Sequence, residues 1–158
     1  MLEKLIGLVK ENAGDAIVSN SAIPNEHNED AIQAASGSIH EVLAEKTSSG
    51  KLGEMAQLFQ GGDLANNPVV AKIKEVFAGK LSNMGVKQEE AQNTASNLIP
   101  NVMGKLVNKT NDPNNSEFSL QGLLQHFGGD KLDLSSAMDA FKNAGGGLMD
   151  KVGSFFKK

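Results

Sequence analysis

The sequence predicts an all-α protein, and three observations carry the prediction. Apolar residues recur at helical spacing through most of the chain, with Val69, Val70, Ile73, Val76, Phe77, Leu81 and Met84 as the clearest run. No segment alternates apolar and polar residues with the period of two that a half-buried strand shows. Helix boundary signals stand where the periodicity starts and stops: Asn67-Pro68 before one run, and Gly-Gly after Phe59 and near Phe127. With 158 residues and Leu, Ile, Val and Phe making up about a quarter of them, the chain affords one ordinary packed domain.

The elements follow in order. Leu2, Leu5, Ile6 and Val9 mark a first helix. A long second helix spans about 26–47, with Ile32, Ala35, Ile39, Val42 and Leu43 as its buried stripe. A short third helix covers Leu52–Phe59 and ends at Gly61-Gly62, residues suited to a left-handed cap and turn. A fourth helix begins at Pro68, where Asn67 is a good cap and Pro loses no hydrogen bond. The fifth covers about 87–109 with Thr94, Ala95, Leu98, Val102 and Leu106 inward, and Pro100 is expected to kink or split it near Ile99. The sixth runs over 120–127. Leu134, Met138 and Phe141 then suggest one more helix before Gly145-Gly146-Gly147 makes a flexible joint. Beyond the joint, Leu148, Met149, Val152, Phe155 and Phe156 are spaced as the apolar face of an amphipathic helix, with Lys151, Lys157 and Lys158 on or near its polar side.

A repeat runs through this order. Leu5, Val9, Ala13 and Ile17 pair with Val69, Ile73, Phe77 and Leu81, each 64 positions on. Ile23, Ile39 and Leu43 pair with Val86, Val102 and Leu106, each 63 positions on, and Phe59-Gln60-Gly61-Gly62-Asp63 resembles Phe127-Gly128-Gly129-Asp130. The expected architecture is two tandem three-helix units, about 1–63 and 64–130, packed as one helical domain over 1–144, plus an amphipathic C-terminal tail over 145–158.

Composition excludes several kinds of chemistry. There is no Cys, so disulfides, thiolate metal sites and cysteine nucleophiles are out. All 15 basic residues are Lys, and the net charge is -4; both features argue against nucleic acid as a partner. Residues 1–63 are acidic, 64–130 are balanced, and 131–158 are mildly basic. The sequence shows neither a signal peptide pattern nor a run of apolar residues long enough to span a membrane, and a cytoplasmic location is expected.

The candidate sites stand singly along the chain. His27, His40 and His126 are the three histidines; His27 and His40 fall on different faces of one predicted helix, and none has a second His at metal-ligand spacing. They read as surface residues, with His27 and Asp30 at most a weak ion contact. Ser48-Ser49-Gly50-Lys51 matches S-x-x-K but sits in a helix-to-helix turn and lacks companion motifs. The run from Asn111 to Phe118 fails the calcium-loop pattern at its sixth and twelfth positions, and reads as a plain Asx and Pro turn. The Gly-Gly-Asp turns are not phosphate loops, and no cofactor is expected. Glu26 and Glu89 are the candidate carboxylates of an enzyme reading, but both suit helix N-termini.

Leu98-Ile99-Pro100-Asn101-Val102-Met103, Lys109-Thr110-Asn111-Asp112-Pro113 and Ala13-Gly14-Asp15-Ala16-Ile17 resemble the domain of unknown function 937, or YidB-like, group of uncharacterised bacterial proteins. The resemblance implies a helical bacterial protein and carries over no catalytic residue. The expected function is non-catalytic: an interaction or structural protein whose partner is another protein or a second copy. Binding of an apolar ligand or a membrane surface through the tail or between the repeats is the alternative, and an enzyme the least favoured reading.

Overall fold

The computed structural model describes residues 2–21, 23–49, 52–59, 64–112, 114 and 120–128. Among the described residues six α-helices carry the fold: α1 (Leu2–Ala13), α2 (Asn28–Ser48), α3 (Leu52–Phe59), α4 (Pro68–Asn83), α5 (Gln88–Asn111) and α6 (Leu120–Gly128). A π-helical turn continues α1 over Gly14–Val18, and short 3₁₀ turns stand at Asn25–His27 and Leu64–Asn66. Among the described residues there is no strand. The protein is all-α. The expected helix around Leu134, the Gly145–Gly147 joint and the tail residues Leu148, Met149, Val152, Phe155 and Phe156 lie outside the described residues.

The predicted stripes face inward. Ile32, Ala35, Ile39, Val42 and Leu43 on α2, and Thr94, Ala95, Leu98, Val102 and Leu106 on α5, are all buried. On α4, Val69, Val70, Ile73, Phe77 and Leu81 are buried, while Val76 and Met84 pack partly buried against the same core. The paired positions of the internal offsets share this burial: Leu5 with Val69, Val9 with Ile73, Ala13 with Phe77, Ile17 with Leu81, Ile23 with Val86, Ile39 with Val102, and Leu43 with Leu106.

Helices α1 and α4 each pack against both α2 and α5. The short helices sit on this four-helix frame, α3 touching α2, α4 and α5, and α6 lying on α2. The third helix of each half therefore reaches the second helix of the other, and the two halves share one core instead of forming separate globules.

Small residues let α2 serve so many neighbours. Ala31, Ala35, Ser36 and Ser38 are buried on it, and their short side chains allow other helices to approach closely. Its buried hydroxyls are satisfied within the helix: Ser36 Oγ donates to the Ile32 carbonyl at 2.9 Å, and Thr47 Oγ1 to the Leu43 carbonyl at 2.7 Å. Three ion pairs fasten α2 from outside: Glu29 to Lys10 of α1 at 2.9 Å, Glu41 to Lys80 of α4 at 3.3 Å, and Lys46 to Glu54 of α3 at 3.2 Å.

The boundaries of α4 are set by backbone chemistry. Asn67 Oδ1 accepts from the Val69 and Val70 backbone N–H groups at 2.8 and 3.4 Å, with Pro68 in the first helical position, as the sequence predicts. At the other end, Val86 N donates to the Leu81 carbonyl and Gly85 N to the Ser82 carbonyl, both at 3.1 Å. This is a Schellman cap with Gly85 at φ 96°, and Val86 and Leu81 make up its buried apolar contact.

Pro100 neither splits nor ends α5, which runs unbroken from Gln88 to Asn111. Buried Leu98, Ile99, Val102 and Met103 anchor the helix on both sides of the proline. The carbonyl that Pro100 leaves without its helical donor belongs to exposed Ser96, which water can reach. The C-terminal end of α5 also caps α3, because Asn111 Nδ2 donates to the Phe59 carbonyl at 3.0 Å.

Asn67→Ala is expected to lower the stability of the protein by about 1 kcal/mol. Gly85→Ala is expected to cost about 1–2 kcal/mol, because an L-residue is strained at that φ. Phe77→Ala, which empties a fully buried site, sets the upper scale at about 3–5 kcal/mol. Urea unfolding with an unchanged slope checks all three.

Candidate functional site

Packing of α6 on α2 brings together two histidines 86 positions apart. His40 follows buried Ile39 on α2 and lies at the edge of the apolar stripe, half-buried. His126 precedes buried Phe127 on α6, so the packing that buries Phe127 carries His126 to the rim of the same contact. The Nε2 atoms of the two histidines are 3.2 Å apart. Their Nε2 edges face each other, with centroids 5.2 Å apart and planes inclined at 71°. Phe127 meets both, at 5.4 Å from each, and the three rings form one cluster in which each props the other two.

The contact constrains the protons. Two nitrogens at 3.2 Å share a hydrogen bond only if one carries a proton and the other offers its lone pair. Charging both rings sets like charges face to face. Partial burial above all, with the neighbouring His40 a lesser cause, holds the His126 pKa below its ordinary value of 6.5. His126 is thereby favoured as neutral imidazole, the form that accepts hydrogen bonds and binds metal ions.

His40 and His126 do lie at the surface, as expected, and the structure adds a contact between them. Nothing in the local sequence announces it, since the spacing depends on how α6 docks. His27 does remain at the surface, with Asp30 Oδ2 3.5 Å from its Nδ1 and Glu26 Oε1 3.8 Å from its Nε2. Those carboxylates address opposite edges of the ring, so they do not converge with it on one ion. Among the described residues no three His, Cys, Asp or Glu side chains cluster as a metal site. Glu26 and Glu89 both lie exposed in first turns, Glu26 in the 3₁₀ turn before α2 and Glu89 in α5.

The other candidates are placed as follows. Asp112 Oδ1 accepts from Asn114 N at 2.9 Å, which makes the start of the 111–118 run an Asx turn, as expected. Ser48 and Ser49 donate to the Glu45 and Lys46 carbonyls at the end of α2, while Gly50 and Lys51 lie outside the described residues. A shallow hollow of about 320 Å³ opens beside the link from the π-helical turn to α2, lined by Val18, Ser19, Asn20, Ser21, Ile23, Pro24 and Asn25. Val18, half exposed, is the one large apolar side chain on the surface among the described residues. No described helix is long and apolar enough to cross a membrane.

No family model matches this chain, and no curated protein or solved structure is similar enough to count as a relative.

The lowered His126 pKa makes stability depend on pH with a definite sign. The unfolded chain takes up the proton first, so the contribution of His126 is complete above about pH 6.5 and is lost as pH falls through its folded value. Urea midpoints measured between pH 7.5 and 5.5 should fall for the natural protein. For His126→Gln they should fall less steeply.

Proposed function

We propose that the chain is a non-catalytic interaction or structural protein of the bacterial cytoplasm that engages another protein or a second copy of itself. The observation that carries this reading is a division of labour along the chain. Helices α1 to α6 bury their apolar faces in one continuous core made of their own residues, from Leu5 to Phe127. A second apolar stripe, Leu148, Met149, Val152, Phe155 and Phe156, follows a run of three glycines. Ordering the eleven residues 148–158 costs about 1.5 kcal/mol each, close to the roughly 1.5–3 kcal/mol that burial of each of the five apolar side chains returns, so the stripe needs a matched groove. In this reading a partner supplies the groove and the folded body supplies the platform. The helix-for-helix pairing of the halves, with long second helices of 21 and 24 residues and short third helices of 8 and 9, supports an origin by duplication. The resemblance to the domain of unknown function 937 group is consistent with a helical bacterial protein of this kind.

The basic residues Lys151, Lys157 and Lys158 favour a second reading, in which the same stripe lies on an anionic membrane surface. Light scattering of the full-length protein across concentration, beside a variant carrying both Phe155→Asp and Phe156→Asp, separates the two. Assembly that the double substitution abolishes supports the interaction reading. A monomer at all concentrations that floats with anionic vesicles, and loses that binding in the variant, replaces it with the membrane reading.

A further inference from the structure

We propose that His40 and His126 form a binding site for one divalent transition-metal ion of the imidazole-preferring kind, Zn²⁺ or Cu²⁺, that bridges α2 to α6. The geometry fits. Metal–imidazole bonds of about 2.0–2.1 Å at a tetrahedral angle put the two nitrogens about 3.3–3.4 Å apart. The Nε2 atoms stand at 3.2 Å with their ring edges turned toward each other, so binding calls for an adjustment of tenths of an ångström. The proton of the donating ring moves to its Nδ1, which leaves both Nε2 lone pairs facing the ion. The remaining coordination positions go to water, because the pair lies at the rim of the fold where His126 is exposed.

The site is also organised in advance. Phe127, only 5% exposed, makes edge-to-face contact with both rings and restricts their rotation. A ligand pair already held in place loses little freedom when the ion arrives. Both imidazoles are served by helices that the core positions independently, α2 through Ile39 and Leu43, α6 through Leu123 and Leu124.

Packing does not require histidine at these positions. The offset that pairs Ile39 with Val102 pairs His40 with Met103, and the one that pairs Phe59 with Phe127 pairs His126 with Leu58. Met103 and Leu58 are both fully buried. Corresponding positions thus fill the core in one combination of second and third helices, and present facing imidazoles in the other.

The test titrates full-length, metal-stripped protein with ZnCl₂ and, separately, CuSO₄ by calorimetry at pH 7.5. One ion per chain is expected, with Cu²⁺ bound more tightly than Zn²⁺. His40→Gln and His126→Gln should each weaken binding by at least about tenfold, the scale on which even supporting groups of metal sites act. His27→Gln, which alters the remaining histidine, should leave it unchanged. Nitrogen-15 spectra of the natural protein provide a check that does not depend on how the variants fold: Zn²⁺ should shift the Nε2 signals of His40 and His126 and spare those of His27. No saturable binding, binding that survives either substitution, or shifts confined to His27 would overturn the site and leave the pair as a hydrogen bond between two rings.

Discussion

The architecture depends on how closely other helices approach α2. Four helices touch it, and a helix with large side chains all round cannot accept that many neighbours at close range. Its buried alanines and serines remove the bulk. Their polarity costs little, because each buried hydroxyl donates to the carbonyl one turn back in its own helix. Ion pairs to α1, α3 and α4 add little energy at the exposed sites but fix which neighbour lies on which side. Lys46, whose side chain is only 13% exposed, is the one partner for which solvent screening is weak.

The same close approach explains why the halves of the chain interlock. If each set of three helices closed on itself, α6 would find its main partner in α5. It lies on α2 instead, and α3 reaches across to α4 and α5. Each short helix adds an apolar set to a frame already made by four longer ones: Met55, Leu58 and Phe59 from α3; Leu123, Leu124 and Phe127 from α6. In a protein without Trp or Tyr, three phenylalanines (59, 77 and 127) supply the described core's large rings, and one of them also steadies the histidine pair.

Much of the fold was legible because helix formation and amphipathic burial are local properties. The α3 limits coincide with the prediction, the α4 cap uses the predicted Asn67 and Pro68, and the stripes of α2 and α5 face the core residue by residue. Two features were less legible. Pro100 is expected to kink or split α5, yet the helix is not split, because tertiary contacts on both sides of the proline outweigh one missing hydrogen bond whose acceptor faces solvent. Gly85 carries the decisive cap of α4 although no Gly-Gly pair marks it, because the cap needs only one residue at positive φ followed by an apolar contact.

The candidate site was not legible. Residue spacing along one helix separates His27 from His40, and the chain places His126 another 86 residues beyond His40. The helical class, the inward faces, the helix starts and the absence of thiol and guanidinium chemistry follow from composition and short-range periodicity alone. Which helices touch, and with that the meeting of His40, His126 and Phe127, is a matter of tertiary packing. A histidine's neighbours across a helix interface depend on docking angle and register, and these are set by the sum of many apolar contacts spread over the whole chain.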